Sequence, residues 1–256
     1  MTNWKRLAAP AIVALLATVG AATAQERLTI AIEGAYPPFS NVTSDGKLVG
    51  LDVDIADALC AEMKVECTLV TQDWDGMIPA LLAGKFDAIV ASMTITEERK
   101  KQIAFTDRYY STPLSLVVLK EAELAGTDAA ALAGKSVGVQ GATVQANYAE
   151  NVYGKAGSAV RQYQTQDEAM ADLENGRVDA VVADKIMLMD WLKAAGGDCC
   201  RMVGDLAGTN ADAGIALRQE DDALRAKFNA ALAAIRTDGT YAKITAKYFD
   251  FDIYGK

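Results

Sequence analysis

The segment Ser92-Met93-Thr94-Ile95-Thr96 brings three hydroxyl side chains to the start of a charged run, Glu97-Glu98-Arg99-Lys100-Lys101. Hydroxyls and free backbone N–H groups where a helix opens favour an anion. A guanidinium in the first turn adds a planar fork that grips a carboxylate through two hydrogen bonds. Ser92, Thr94 and Arg99 therefore read together as a carboxylate-binding site. The same residues have a plainer reading, in which Thr96 caps a helix and Arg99 pairs with a surface glutamate. Thr143, two residues after Gly141, offers another hydroxyl at a second helix start, as a ligand contact or as an ordinary cap. Asp184 ends an apolar run, where it suits an ammonium group or the N-cap position before Lys185. Glu33 and Asp52 add carboxylates, and Asp52 is also a candidate cap. Tyr36 and Trp74 present flat rings on which a guanidinium or an aliphatic chain can stack, or they belong to the core. What the set has in common is one anion grip, one ammonium acceptor, and aromatic walls ending in acid.

Composition narrows the chemistry. The chain has 256 residues, 51% hydrophobic and 23% charged, with only 5 prolines, which suits one large domain or two lobes with real cores. Histidine is absent, which excludes Ser-His-Asp and Cys-His nucleophilic sites in their usual form and removes the commonest transition-metal ligand. No metal and no cofactor is expected. The 25 basic and 34 acidic residues leave a net charge of −9, so nucleic acid is not an expected partner, since its phosphates would be repelled.

The first 24 residues differ in kind. Lys5 and Arg6 precede a nearly continuous apolar run from Leu7 to Ala22, and Ala22-Thr23-Ala24 is a small-x-small sequence before Gln25. This is the pattern of a cleavable export signal, residues 1–24, so the mature chain is expected outside the cytoplasm. In that oxidising setting Cys60 and Cys67, flanking "AEMKVE", are expected to form a disulfide between a helix end and the next strand. Closing so short a loop contributes roughly 2–3 kcal/mol in the chain-entropy account. Cys199 and Cys200 are adjacent; a vicinal bridge is favoured over two free thiols or a bond to another chain.

The elements that must position these residues are visible as alternating strand and helix patterns. "RLTIAI" (27–32), "VECTLV" (65–70) and "FDAIVA" (86–91) read as strands, and "DVDIADALCAEM" (52–63) and "WDGMIPALLAG" (74–84) as helices. The grammar recurs with strands "SVGVQ" (136–140) and "VDAVVA" (178–183), helices from Val144, at 167–176 and from Asp184, and two closing helices. "LLAGKFDAIVASMTI" (81–95) aligns with "LENGRVDAVVADKIM" (173–187), a faint internal repeat that suggests two similar lobes. Apolar strands alternating with helices predict an α/β fold with parallel sheets. In such sheets ligands bind beyond the carboxyl ends of strands, which points to Glu33–Phe39, Ser92–Thr94, Gly141–Thr143 and Asp184.

At this point the blocks "YPPFSN", "GKLVGLDVDIADALC", "DWDGMIPALLAGKFDAIVASMTITEERKKQIAFTDRYY", "LAGKSVGVQGAT" and "DGTYAKITAKYFDFDIYG" resemble the polar-amino-acid family of periplasmic solute-binding proteins that feed ABC transporters. The resemblance spans residues 26–256 and is nearest to lysine/arginine/ornithine and histidine binders, including the pair Cys60 and Cys67. It implies a type II clamshell of two lobes, each a mostly parallel sheet with flanking helices, joined by two crossover strands. Lobe 1 would be residues 25–112 and 208–256, and lobe 2 residues 113–207. It further implies a ligand α-carboxylate held by Arg99 with Thr94 and Thr143, and an α-ammonium held by Asp184 and Ser92. The side chain would lie between Tyr36 and Trp74, with Glu33 and Asp52 at its far end. Ala91, where basic-residue binders commonly have Ser, and Met93 complete the expected lining. Other departures are Glu33 for Asp, Trp74 for Phe, and Val144 for a frequent Gln.

The expected function is a monomeric periplasmic receptor, not an enzyme. It would capture arginine, then lysine or ornithine, by lobe closure and deliver it to an inner-membrane ABC permease. Opine, histidine and glutamine binding are the alternatives within the family, and a periplasmic prephenate or arogenate dehydratase is a remote one. A membrane-tethered sensor is not expected, since the sequence ends at "FDIYGK".

Overall fold

The computed structural model describes Met1 and residues 26–124 and 126–255. The expected export signal, apart from Met1, lies outside the described residues. The chain enters β1 (Arg27–Ile32) and then a small antiparallel sheet of β2 (Ala35–Tyr36), β3 (Ser40–Val42) and β4 (Leu48–Val49). α1 (Leu51–Met63) and β5 (Glu66–Thr71) follow. A 3-10 turn at Trp74–Gly76 runs into α2 (Met77–Leu82), β6 (Ala88–Ile89), α3 (Glu97–Lys100) and β7 (Ile103–Thr112). Next come β8 (Leu114–Leu119), α4 (Ala129–Leu132), β9 (Ser136–Gln140), α5 (Val144–Tyr148) and β10 (Ala159–Tyr163). α6 (Gln166–Glu174), β11 (Ala180–Asp184), α7 (Lys185–Trp191) and β12 (Cys200–Asp205) continue the second lobe. β13 (Ala211–Arg218), α8 (Asp222–Thr237) and α9 (Thr240–Thr245) close the chain in the first.

Two five-stranded sheets organise these elements, in the orders β5-β1-β6-β13-β7 and β10-β9-β11-β8-β12. Each is the centre of one lobe. In both, the first three strands are parallel and the last two pairings are antiparallel. The parallel part is the expected βαβ grammar. The antiparallel part arises because β13 and β8 each enter from the other lobe and run against their new neighbours. β7 ends at Thr112 in one sheet and β8 begins at Leu114 in the other, so Pro113 alone separates them.

Burial follows from the patterns. In β8, Leu114, Leu116 and Val118 pack into one apolar cluster and Val117 into the opposite one, the period of two for a strand covered on both faces. α1 packs its Leu51, Ile55 and Leu59 face against the first sheet and α8. α1 starts after Gly50, whose φ of +130° and close approach to the Phe39 carbonyl leave no room for a Cβ. Cys60 and Cys67 are bonded, tying the end of α1 to β5, and Cys199 and Cys200 form a vicinal disulfide. Among the described residues no helix is long and apolar enough to cross a membrane, and no group of His, Cys, Asp or Glu has the arrangement of a metal site.

Candidate ligand-binding cleft

The carboxyl ends of the central strands of the two sheets face each other across a cleft of about 290 Å³. From lobe 1 it is lined by Glu33 after β1, Tyr36 in β2, Trp74 in the 3-10 turn, and Ala91, Ser92, Thr94 and Arg99 after β6. From lobe 2 come Gln140 at the end of β9, Thr143, Val144 and Gln145 around the start of α5, and Asp184 at the end of β11.

Each side chain is placed by local structure. Ser92 sits at φ +52°, a conformation L-residues adopt rarely. Its N–H donates to the Tyr109 hydroxyl (2.8 Å) and its hydroxyl donates to Asp52 Oδ2 (2.9 Å). Thr96 caps α3, accepting from the Arg99 N–H at 3.1 Å. That fixes the first turn and turns the Arg99 side chain inward, where Nη1 donates to the Thr94 carbonyl (2.9 Å) and the guanidinium lies 5.3 Å from the Trp74 ring centre. The surface glutamates pair elsewhere, Glu97 with Lys100 and Glu98 with Lys101. Thr143 does cap α5, accepting from the Ala146 N–H (3.0 Å) while donating to the Gln140 carbonyl (2.7 Å). Asp184 occupies the N-cap position of α7 without a capping hydrogen bond. Its carboxylate instead accepts from Tyr36 (3.0 Å) and Gln145 (2.9 Å).

Among the described residues three hydrogen bonds join the lobes across the cleft. The Tyr36 hydroxyl donates to Asp184, the Trp74 indole donates to the Ala142 carbonyl at 3.0 Å, and the Gln140 amide donates to Glu33 Oε1 at 2.6 Å. Charge is distributed unevenly. Burial pushes the Glu33 carboxyl up to about 7 despite the Gln140 hydrogen bond, and lifts Asp184 to about 6 against the pull of Tyr36, Gln145 and Arg99. Arg99 is lowered to about 10 by desolvation, offset by Asp184. Arg99 and Asp184 thus feel each other's charge, an arrangement suited to a zwitterion whose carboxylate meets the first and whose ammonium meets the second.

Two expected positions fall outside the lining. Met93 is 1% exposed and packs with Ile89, Ile103 and Phe105 in the lobe 1 core; alternation along the extended segment turns it away from Ser92 and Thr94. Asp52 is fully buried behind Ser92, as the second residue of α1 rather than its cap, and accepts from Ser92 and Tyr109 (2.7 Å). Burial raises its carboxyl to about 7. Its reach into the cleft is through the Ser92 hydroxyl, which it holds with the lone pairs free. Gln140 and Gln145 line the cleft and were not anticipated. The signal for Gln140 was present, since it is the last residue of a strand whose carboxyl end was singled out. Gln145, in the first turn of α5, reaches Asp184 from one residue beyond the position where a Gln is frequent. A larger groove of about 1470 Å³ on lobe 1 pairs its Arg108 with Asp212 and its Arg225 with Asp222.

Residues 28–251 match the bacterial extracellular solute-binding proteins, family 3. The chain belongs to that family. It is 47% identical over 237 residues to the L-arginine-binding protein of Pseudomonas aeruginosa, covering 91% of each chain. It is 38% identical to the histidine-binding periplasmic protein of Salmonella typhimurium, covering 93% of this chain and 94% of the other. Among solved structures, an ancestral arginine-binding protein bound to arginine superposes with a TM-score of 0.83 at 37% identity, covering 88% of this chain and 99% of that one. Each of these relatives is named as a binding protein.

Proposed function

We propose that the protein is the periplasmic substrate-binding component of an ABC importer, taking a basic L-amino acid, arginine before lysine and ornithine. Support comes first from one observation. Arg99 and Asp184 face the cleft as a coupled opposite pair, while Glu33 adds a second acid beside the Tyr36 and Trp74 rings. The pair suits the α-carboxylate and α-ammonium, with Thr94, Thr143 and Ser92 assisting. The second acid and the rings suit a cationic side chain. Micromolar affinity needs only about −8 kcal/mol, within reach of charge-assisted hydrogen bonds at about 1.5–3 kcal/mol each.

The lobes, residues 25–112 with 208–256 and residues 113–207, close on the ligand. The closed form, favoured because it binds more tightly, is the one an inner-membrane permease receives. The mature chain acts as a monomer in the periplasm after cleavage near Ala24 and Gln25. It carries no catalytic role, so prephenate is expected to stay intact when incubated with it. Naming of the relatives as arginine and histidine binders agrees with this reading.

A glutamine reading has one specific observation in its favour. Glu33, raised to about 7, is partly protonated near neutrality and can then donate to an amide carbonyl. Calorimetric titration of the mature chain with arginine, lysine, ornithine, histidine, glutamine and octopine decides among these ligands. Heat with arginine at micromolar affinity is expected; silence with every cationic ligand defeats the basic-ligand reading.

A further inference from the structure

We propose that Gln140 is the specificity-determining residue at the side-chain end of the cleft, making that end a set of acceptors that selects a guanidinium over an isosteric neutral group. The inference rests on the proposed orientation, with the ligand's head at Arg99 and Asp184. Gln140 is 3% exposed and lines the cleft. Its amide nitrogen donates to Glu33 Oε1 at 2.6 Å and to the Gln164 carbonyl at 3.3 Å. An amide nitrogen has two hydrogens, and both are committed. That fixes which way the amide faces. Its two nitrogen partners are acceptors, so the reverse orientation would set oxygen against oxygen at both.

The polar atom left to offer is Gln140 Oε1, beside a Glu33 carboxylate that still has an unshared oxygen. Neither group has a hydrogen to give while Glu33 is ionised. A guanidinium has five N–H donors and no acceptor, so it leaves nothing unpaired against such a set. A glutamine amide or a citrulline ureido group brings a carbonyl oxygen, which would be buried against acceptors without a partner. Gln140 therefore acts in two ways. It holds Glu33 in place across the cleft from lobe 2, so that the acceptor set forms as the lobes meet. It also adds an acceptor of its own.

Calorimetry of wild type and Gln140→Met with L-arginine and L-citrulline tests this. The citrulline side chain has the shape of arginine's without its charge. The variant keeps side-chain length and loses both amide functions. Arginine affinity is expected to fall roughly tenfold to a hundredfold, as for a lost hydrogen bond to a charged group, with citrulline changing far less, so that the ratio of the two narrows. The midpoint of arginine affinity against pH is also expected to move up in the variant, because the Gln140 bond opposes the rise that burial, Asp167 and Asp73 impose on Glu33. A purely structural defect would weaken both ligands alike and leave the midpoint in place, and that result overturns the proposal. Wild-type protein supplies a measurement independent of the variant's folding. Arginine dimethylated on one terminal nitrogen keeps its charge and loses two donors, so it is expected to bind at least about tenfold more weakly; equal binding overturns the acceptor-set argument. Failure of arginine to bind wild type at all would remove the basic-ligand reading and this inference with it, whereas normal arginine binding with an unchanged ratio removes the inference alone.

Discussion

The two lobes are the same sheet used for opposite electrostatic purposes. β5-β1-β6-β13-β7 and β10-β9-β11-β8-β12 correspond strand for strand, and the internal repeat falls on the equivalent strands β6 and β11. The difference begins where those strands end. After β11 the chain turns at once into α7, leaving Asp184 at the strand tip with no capping role. After β6 it runs on as Ala91-Ser92-Met93-Thr94, held by a bridge from Thr94 to Ala213, before α3 opens. Those extra residues carry Arg99 inward. The longer connection after β6 thus gives lobe 1 a cation beside its own Glu33, while lobe 2 presents Asp184, and in the proposed reading a zwitterion engages Arg99 and Asp184 together only when the lobes meet. Strain is also shared: Ser92 and Ala142, both at positive φ without being glycine, sit at the two facing rims.

Removing the lobe 1 cation should break this division most completely. Arg99→Ala is expected to abolish measurable binding of every amino acid, a loss of about a thousandfold or more for two charge-assisted hydrogen bonds, while the melting temperature stays near wild type. Calorimetry alongside thermal melting checks both parts, and retained affinity would take Arg99 out of the carboxylate role. Asp184→Asn tests the lobe 2 side. It preserves shape and the contacts with Tyr36 or Gln145, so the loss should be smaller, about a hundredfold. If lobe 1 makes the first contact, most of that loss appears as faster dissociation in stopped-flow measurements.

A covalent contrast gives a third effect, on stability alone. In lobe 1 the end of α1 is tied to β5 by Cys60–Cys67 across a sequence separation of 7. The corresponding connection of lobe 2 is held instead by Tyr153, whose carbonyl accepts from Ser158 and whose hydroxyl donates to the Thr127 carbonyl. Replacing both cysteines with serine is expected to cost about 2 kcal/mol of stability, seen as a lower calorimetric melting temperature with ligand affinity unchanged. Loss of affinity would mean that the bond also positions Asp52 on α1.

Much of this was legible before the fold was known. Periodicity gave β1, α1, α6, α8 and β11 within a residue or two, because each presents a long, regular apolar face. The rule that ligands lie beyond strand carboxyl ends placed Glu33, Ser92, Thr94, Thr143 and Asp184 on one cleft. The antiparallel strands β12 and β13 were not read individually, since they take their partners from distant segments and their sequences are mixed. Asp52 and Met93 fall outside the cleft lining for one shared reason. Spacing along the chain says that a residue is near the site, but not on which side of the backbone its atoms lie. Gln140 was overlooked because an amide at a strand end carries no charge to draw notice, although here it joins the lobes.

The smallest expected effect separates the acids of the two lobes by pH. In the proposed reading Asp184 meets the ammonium that every amino acid carries, whereas Glu33 meets only a cationic side chain. In the ligand-free cleft both carboxyls are raised, Glu33 to about 7 and Asp184 to about 6, because burial disfavours their charged forms. A raised carboxyl holds its proton in the closed cleft where a solvated one has lost it, so the ligand-free closed form becomes less stable as pH rises from the ordinary carboxylate range through those values. A cation brought against the group reverses the preference and releases the proton. Affinity for arginine therefore falls as pH is lowered, by about tenfold from pH 7.5 to pH 6, with contributions from both acids. Glutamine offers Glu33 no cation and gains a donor when Glu33 is protonated, so its affinity should hold or rise as pH falls through 7 and drop only as Asp184 protonates, with a midpoint about one pH unit lower. Calorimetric titrations of both ligands across that range, in buffers of different ionisation enthalpy, count the protons released. Superimposable profiles would mean that Glu33 does not distinguish the ligands and that the asymmetry between the lobes ends at Arg99 and Asp184.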